Sequence, residues 1–360
     1  MTTHNFNAGP AVLPRAVLER AQAELLDYHG RGMSILEMSH RSKEYEAVNQ
    51  SAEARFKALL GLGDDYRVLF MQGGASAQFA LLALNFLRPA TTANYVLTGS
   101  WGEKALEEAK RIGATHVAAT AAEGNYRTVP APGDLQLSER PAYLHITSNE
   151  TIQGVQWPTF PDSGAVPLVA DMSSDILSRP FDASRFALIY AGAQKNIGPS
   201  GVTAVIVRES FVAEARKDMP AIFSYQTILK NNSLYNTPPV YAVYLVDLVI
   251  AWIEGLGGLT AMAERNAAKA AAIYDTIDGS NGFYRGHAEV ASRSPMNVTF
   301  RLPSPELEKQ FVAEAQAQGM VGLAGHRSVG GIRASIYNAL EPASCTVLAQ
   351  FMRDFAQHNG

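Results

Sequence analysis

Seven short apolar runs between residues 67 and 207 constrain the fold more than any other feature of the sequence. They are RVLFM (67–71), NYVLT (94–98), THVAAT (115–120), AYLHIT (142–147), VPLVA (166–170), ALIY (187–190) and VTAVIV (202–207). They are almost continuously apolar rather than alternating with polar residues, which indicates strands buried on both faces. Helical patterns such as ASAQFALLALNFL separate several of them. We therefore predict an α/β fold with a mainly parallel seven-stranded sheet flanked by helices.

A different pattern begins near residue 256, at the Gly-rich break GLGGLT. Beyond it, helical patterns and strand-like runs alternate at 261–277, 296–302, 305–319, 332–337 and 344–357. This spacing predicts a smaller α+β domain at the C-terminal end. We place a large domain at 13–257 and a small domain at 258–360, to which the N-terminal segment 1–12 is added.

The overall composition excludes several functional classes. The chain has 360 residues, 47% of them hydrophobic, which is enough for a large core and two domains. A net charge of −4 gives no electrostatic case for binding nucleic acid or an anionic membrane. The only cysteine, Cys345, cannot form an internal disulfide, and MTTHNFNAGP lacks the order of a signal peptide. We expect a soluble cytoplasmic protein.

Five polar features follow predicted strands, where ligands gather in parallel sheets. They are the turn at Gly73, Gly74, Ala75 and Ser76; Trp101; the segment from Ser148 to Thr151; Asp171; and Lys195. Each has an ordinary alternative: a simple turn, a core aromatic residue, a helix cap, a turn-forming carboxylate and a solvated surface amine. No P-loop sequence is present.

Taken together, these features match one cofactor, pyridoxal 5′-phosphate. A deprotonated lysine attacks its aldehyde, and a carboxylate can hold its ring nitrogen in the protonated form. Lys195 and Asp171 follow two neighbouring predicted strands and supply these two groups. Trp101 offers a surface on which the ring can stack, and the glycine turn at a helix start can bind the phosphate. The combination is far more specific than any of its members.

Several segments also resemble the phosphoserine aminotransferases, a class V group of the fold type I pyridoxal-phosphate enzymes. The resemblance runs from Asn5 to beyond residue 350. It is carried by NFNAGPAVLP, GMSILEMSHRSKEYE, FMQGGASAQF, DMSSDILSRP, YAGAQKNIGPSG, NNSLYNTPP and GHRSVGGIRASIYNA. It implies transfer of an amino group from L-glutamate to 3-phosphohydroxypyruvate, which gives 2-oxoglutarate and O-phospho-L-serine in serine biosynthesis. Some relatives also use 4-phosphohydroxythreonine in vitamin B6 synthesis. No metal ion is implied.

The resemblance assigns cofactor roles at matching positions. Lys195 would form the Schiff base, Asp171 would bond the ring nitrogen, and Trp101 would stack on the ring. Thr151 would contact the ring hydroxyl region. The cofactor phosphate would be held by Ala75, Ser76 and Gln194, with Asn236 and Thr237 of a neighbouring subunit, so that a homodimer shares its active sites.

Two His-Arg pairs and one further arginine mark the substrate side. Arginine binds carboxylate and phosphate through a bidentate fork, although most arginines form surface ion pairs. By resemblance, Arg41 contacts the glutamate or phosphoserine substrate. Arg333 resembles the clamp for the α-carboxylate, and His40, His326 and Arg327 resemble the site for the distal anion. The chain departs from some relatives, because GGAS lacks an arginine after the glycines and Ala8 replaces a serine.

Three other functions compete with this interpretation. A class V desulfurase or lyase needs a reactive cysteine on a mobile loop, and Cys345 is the only candidate. An aminotransferase for unphosphorylated substrates, such as alanine–glyoxylate, would not need the paired His-Arg motifs. A protein that stores the cofactor without turnover would not need Arg333 as an α-carboxylate clamp.

Overall fold

The computed structural model describes residues 3–360, so the first two residues of the predicted small-domain segment 1–12 lie outside the described residues. In chain order the strands are β1 (His4–Asn5), β2 (Tyr66–Met71), β3 (Thr92–Leu97), β4 (Thr115–Thr120), β5 (Pro141–Thr147), β6 (Asn149–Glu150), β7 (Val155–Gln156), β8 (Leu168–Asp171), β9 (Phe186–Gly192), β10 (Thr203–Arg208), β11 (Arg285–Gly286), β12 (Asn297–Arg301), β13 (Met320–Val321) and β14 (Ile332–Ser335). The α-helices are α1 (Arg15–Ala23), α2 (Lys43–Leu60), α3 (Gly74–Phe86), α4 (Ser100–Lys110), α5 (Glu209–Ala213), α6 (Tyr225–Lys230), α7 (Val240–Gly255), α8 (Gly258–Asp278), α9 (Pro305–Ala317) and α10 (Pro342–Asn359).

The central sheet has seven strands in the order β2–β10–β9–β8–β5–β3–β4. Strand β10 is antiparallel to both of its neighbours, and the other pairs are parallel. The predicted fold class is therefore confirmed. The predicted runs match these strands to within a few residues. We predict that Asp171 follows the fifth of these runs. In the structure it is the last residue of β8, because it still pairs with Tyr190 of β9.

Burial on both faces of this sheet explains why its strands are continuously apolar. In β2, Val68 and Phe70 enter a core that also contains residues of α2 and α7. The alternate residues Leu69 and Met71 enter a second core with residues of α3 and α4. A strand that faces two cores keeps no polar side, so its sequence shows no alternation.

A sharp turn follows β2 and begins α3. Gly73 has a φ of 94°, and a Cβ placed on it would lie 2.5 Å from the Cβ of Ala77. Glycine is required here by both the backbone angle and the lack of space. The first N–H groups of α3 are thereby exposed at the carboxyl edge of the sheet.

The C-terminal part of the chain forms a third core around the antiparallel sheet β11–β12–β14. Helices α8, α9 and α10 supply many of its apolar residues. The N-terminal strand β1 pairs in parallel with β13, and Phe6 is fully buried in this core. The start of the chain therefore packs with its C-terminal part.

The chain bends by 84° between α7 and α8. Gly257 and Gly258, with φ of 101° and 74°, form this turn. Among residues 3–360, no single helix is long and apolar enough to cross a membrane; only the two bent helices counted together reach that length and composition. The domain boundary that we place between residues 257 and 258 falls at this bend and stays a prediction.

A buried lysine fixes the segment that follows β14. Lys269 of α8 is 1% exposed, and its amine donates to the carbonyl oxygens of Ile336 at 2.9 Å and Tyr337 at 2.6 Å. The next residue, Asn338, donates its backbone N–H to the side chain of Asn196 at 2.9 Å. Lys269 thus helps to hold the segment against which the loop containing Lys195 rests. Burial lowers the pKa of Lys269 to about 7.

This pKa predicts a specific dependence of stability on pH. The folded protein releases the Lys269 proton near pH 7, whereas the unfolded chain holds it up to the ordinary pKa of 10.5. Between these values the unfolded state binds more protons, so stability rises with pH by up to about 1.4 kcal/mol per unit. We expect the unfolding free energy of the wild type to rise relative to Lys269→Met over this range. Denaturant titrations at several pH values measure the difference, and a constant difference would contradict the prediction.

Candidate active site

The carboxyl ends of four adjacent strands bring the predicted functional residues together. Strands β9, β8, β5 and β3 lie side by side in the sheet. The Lys195 loop follows β9, and Asp171 ends β8. Thr151 lies just after the short strand that continues from β5, and Trp101 lies in the first turn of α4, after β3. The strand order, which the local sequence does not specify, creates this convergence.

The amine of Lys195 lies at the centre of the group. Its Nζ donates to Thr151 Oγ1 at 2.6 Å and lies 4.8 Å from the centre of the Trp101 ring. Burial lowers the pKa of Lys195, while the charges of Asp171 and Glu150 partly oppose this shift. A lysine with a lowered pKa supplies more free amine near neutral pH and is a better nucleophile or base.

Asp171 is a buried carboxylate beside this amine. It is 6% exposed, and its Oδ1 accepts the backbone N–H of Ser173 at 2.9 Å. Burial raises its pKa, and the positive charge of Lys195 acts in the opposite direction. Among residues 3–360, no lysine or arginine forms an ion pair with it. Its charge is therefore available to a cationic group of a ligand.

A second buried carboxylate, Glu150, directly precedes Thr151, and its charge also acts on Lys195. It is fully buried, and its two oxygens accept the backbone N–H groups of Trp101 and Gly102, each at 3.0 Å. Burial raises the pKa of Glu150 to about 7. The sequence reasoning missed Glu150, because a segment such as SNET is equally compatible with a solvated helix cap.

The N-terminal segment covers one side of the lysine loop. The N–H of Ala11 donates to the Gln194 carbonyl at 2.9 Å, and Tyr337 donates its hydroxyl to the Ala8 carbonyl at 2.8 Å. A Cβ on Gly9 would lie 3.3 Å from Cγ of Lys195. Ala8 therefore lies beside the site, although its methyl side chain can form no hydrogen bond to a ligand.

The start of α3 offers hydrogen-bond donors without a fixed charge. Ala75 is partly buried and Ser76 is exposed in its first turn. This arrangement suits a phosphate group, because helix N-termini bind anions through free N–H groups.

Basic side chains from the C-terminal part of the chain lie near the site, and the charge of Arg333 acts on Lys195. Burial lowers the pKa of Arg333 in β14, and its Nε is buried without a hydrogen-bond partner. Burial also lowers the pKa of His326, to which the charges of Arg333, Lys104 and Arg327 add. An unpaired arginine nitrogen and a cluster of like charges indicate a place for an anionic ligand.

Lys104 is a further member of this cluster that the sequence reasoning missed. Its Nζ lies 4.2 Å from the centre of the Trp101 ring. The signal was its position three residues after Trp101, because residues at that spacing share one face of a helix.

The roles of four further predicted residues stay predictions. No hydrogen bond or ion pair among residues 3–360 links His40, Arg41, Asn236 or Thr237 to Lys195. The Nε2 atom of His40 is buried without a partner, and Arg41 is exposed. The backbone carbonyl of Thr237 accepts the side-chain amide of Gln72 at 3.2 Å, close to the start of α3.

Known proteins resemble the chain over its whole length. Residues 3–344 match the family model described as aminotransferase class-V. The chain is 58% identical to a phosphoserine aminotransferase from Herpetosiphon aurantiacus, with all of both chains covered. A solved phosphoserine aminotransferase from Bacillus circulans subsp. alkalophilus superimposes with a TM-score of 0.98 at 60% identity, covering 100% of this chain and 99% of the other. A phosphoserine aminotransferase from Trichomonas vaginalis, solved with pyridoxal phosphate bound, gives 0.93 at 37% identity and covers 98% and 100%.

The electrostatics around Lys195 predict its reactivity. In protein free of bound small molecules, Lys195 should react with an amine-directed reagent at lower pH than exposed lysines do, because burial lowers its pKa. Asp171→Asn removes a charge that raises this pKa and should shift the midpoint lower still. Labelling across a pH series, read by peptide mass spectrometry, measures both. Asp162→Asn, which changes an exposed carboxylate, is the control; an equal midpoint in wild type and Asp171→Asn would refute the prediction.

Proposed function

We propose, from the premise that the chain belongs to the class-V aminotransferase family, that it is a pyridoxal-phosphate-dependent phosphoserine aminotransferase. It would transfer the amino group of L-glutamate to 3-phosphohydroxypyruvate and release O-phospho-L-serine and 2-oxoglutarate. One observation carries the proposal: a lysine amine of lowered pKa lies against Thr151 and Trp101, beside an unpaired buried aspartate. The names of relatives that are 58–60% identical to the chain support the substrate.

The residues present fit pyridoxal phosphate. When bound, this cofactor supplies an aldehyde that reacts with amines and a ring that accepts electron density from the substrate α-carbon. Asp171 would hold the ring nitrogen protonated, Trp101 would cover the ring face, and Thr151 would contact the ring hydroxyl. Gln194, Ala75 and Ser76 would hold the phosphate. The buried Nε1 of Trp101 has no partner among the described residues and fits a polar ligand atom here.

Lys195 would move the proton on which the reaction depends. Its Nζ is the only amine that contacts both Thr151 and Trp101 among residues 3–360. Once free, the amine takes the proton from the substrate α-carbon as a general base. Burial favours the unprotonated form that this step needs. The hydrogen bond to Thr151 Oγ1 fixes the position of the amine from which it would act.

The cation cluster would select substrates with two anionic groups. We assign Arg333 to the α-carboxylate, which is common to glutamate and phosphoserine. His326 and Arg327 would bind the distal carboxylate or phosphate, together with His40 and Arg41. Arginine suits both anions through its planar fork.

A cysteine-dependent lyase is a poor alternative. Cys345 lies in α10 and is fully buried among apolar residues of the third core. Burial raises the pKa of its thiol, so the nucleophilic thiolate is disfavoured. This cysteine therefore lacks both the exposure and the thiolate that a desulfurase requires.

A second copy of the chain would complete the site. Asn236 lines an apolar cavity of about 430 Å³ that opens beside Gly73 at the start of α3. Three large apolar side chains, Ile222, Phe223 and Tyr235, lie exposed on the same part of the chain. A homodimer that covers this surface would bring Asn236 and Thr237 to the phosphate site of the neighbouring subunit.

The assay of the function uses both substrates in turn. The visible band of the bound cofactor should disappear with L-glutamate and return with 3-phosphohydroxypyruvate, with O-phospho-L-serine detected as product. Lys195→Ala should lose turnover by several orders of magnitude, because the step has no other base. The proposal would be refuted if L-glutamate left the band unchanged, or if unphosphorylated hydroxypyruvate restored the band equally well.

Arg327→Ala tests the distal-anion site. A hydrogen bond to a charged group contributes about 1.5–3 kcal/mol, so kcat/KM for O-phospho-L-serine should fall about 10- to 100-fold. The value for L-serine, which lacks the phosphate, should change far less. Arg285→Ala, in which an exposed arginine of β11 is removed, serves as the matched control. Equal losses for both substrates would show that Arg327 does not read the phosphate.

A complementation experiment tests the shared site. Lys195→Ala should be mixed with Asn236→Ala/Thr237→Ala and refolded or exchanged. Each mixed dimer then keeps one complete site, so random pairing should recover about a quarter of wild-type activity. The control mixes Lys195→Ala with Asp171→Asn, which lie in the same subunit's site and should not complement. No recovery in the first mixture would contradict the assignment of Asn236 and Thr237.

A further inference from the structure

Glu150 is a buried carboxylate that the function proposed above does not use. Its oxygens accept the N–H groups of Trp101 and Gly102, both at 3.0 Å, in the first turn of α4. Helix N-termini leave such donors unpaired and carry partial positive charge. A fully buried carboxylate is therefore stabilised here by two charge-assisted hydrogen bonds.

The surrounding turn has no room for Glu150 to move. A Cβ placed on Gly99 would lie 2.6 Å from both Cδ of Glu150 and Oε1 of Gln153. Gln153 in turn donates its side-chain amide to Ser100 Oγ at 2.8 Å. The first three residues of α4 are thus each bonded to the short segment that contains Glu150 and Gln153.

This segment also contains Thr151, which links the helix to the reactive amine. Thr151 directly follows Glu150 and accepts the hydrogen bond from Lys195 Nζ. The carboxylate therefore fixes the Trp101 backbone relative to the residue that holds Lys195. An aromatic ring that stacks on a cofactor works only if its height and tilt are fixed, which a free helix end does not ensure.

We propose that Glu150 is a positioning residue that sets the Trp101 ring at stacking distance above the pyridine ring, an inference that rests on the proposed cofactor. It would act through its hydrogen bonds to the first turn of α4 rather than through contact with substrate or cofactor. The buried, paired geometry carries the inference, since a carboxylate that only capped the helix could remain at the surface.

Glu150 could also act on Lys195 through its charge, so the experiment needs a control that separates this effect from the positioning of Trp101. Burial raises its pKa to about 7; Asp171 of β8 adds to this shift, and Lys195 opposes it. The phenol of Tyr126 also faces this charge. Asp175 offers a matched control, because it is buried, its charge also acts on Lys195, and it bonds Ser148 and Gln156 instead of α4.

The experiment measures binding of pyridoxal phosphate and the visible circular dichroism per bound cofactor, which reports how rigidly the ring is oriented. In Glu150→Gln, the NH₂ group of the glutamine side chain would face one of the two backbone N–H donors of α4. We therefore expect about tenfold weaker binding of pyridoxal phosphate and a smaller dichroism signal. Gly99→Ala keeps the charge but pushes Glu150 aside, and should change both readouts in the same direction. Asp175→Asn removes a nearby charge and should leave the dichroism unchanged.

A double-mutant cycle decides whether Glu150 acts through Trp101. In a Trp101→Ala background, Glu150→Gln should weaken binding less than about twofold further. A full tenfold effect in that background, or an unchanged signal in both Glu150→Gln and Gly99→Ala, would overturn the inference. A wild-type chain that bound no pyridoxal phosphate would overturn the proposed function as well. A wild-type chain that bound pyridoxal phosphate but did not react with phosphoserine would overturn only the proposed substrate. The inference about Glu150 would still be tested, because cofactor binding and circular dichroism need no turnover.

Discussion

The structure depends on keeping one lysine amine buried beside two carboxylates without a direct ion pair. A closed ion pair between Lys195 and Asp171 would use up both charges and leave neither for a ligand. The amine instead donates to the neutral hydroxyl of Thr151, and Asp171 accepts the backbone N–H of Ser173, a neutral donor, on its Oδ1. The opposite charges still lower the cost of burial, but at longer range. The site is therefore charged and poised to bind a ligand rather than internally neutralised.

Distant parts of the chain maintain this arrangement. The loop after β9 has small residues around Lys195 and could not hold the side chain by itself. It is held from one side by the N-terminal segment at Gly9 and Ala11, and from the other by Asn338, which bonds Asn196. The Asn338 segment is in turn held by the buried amine of Lys269. A change in any of these contacts should reach Lys195 through packing.

The sequence was sufficient for the fold and for the residues that end the strands. Continuous apolar runs revealed a doubly covered sheet, and the order of strands and helices made parallel pairing the simplest topology. Lys195 and Asp171 could be grouped because neighbouring parallel strands end at the same edge. The roles and domain limits inferred from resemblance remain predictions.

The contacts of Glu150 with α4 and of Lys104 with the His326 region could not be found in this way, for a physical reason. The bonds from Glu150 to α4 join residues 48 and 49 positions apart, and they exist only because β3 and β5 are neighbours in the sheet. Lys104 joins the His326 cluster only when the C-terminal part of the chain folds back over α4. Local patterns report burial and period, whereas these contacts depend on the packing of segments that are far apart in sequence.

The distribution of charge across the site gives a reason for its proposed substrates. The charges of Asp171 and Glu150 act on Lys195, whereas the positive charges of Arg333, Lys104 and Arg327 act together on His326. Positive charges that lie near one another repel, so the free protein carries an electrostatic cost. A substrate with two anionic groups would relieve this cost. A substrate with a single carboxylate relieves only part of it, and a substrate with a cationic side chain adds to it. The proposed selection for two anionic groups would therefore follow from the unoccupied pairing capacity of these cations.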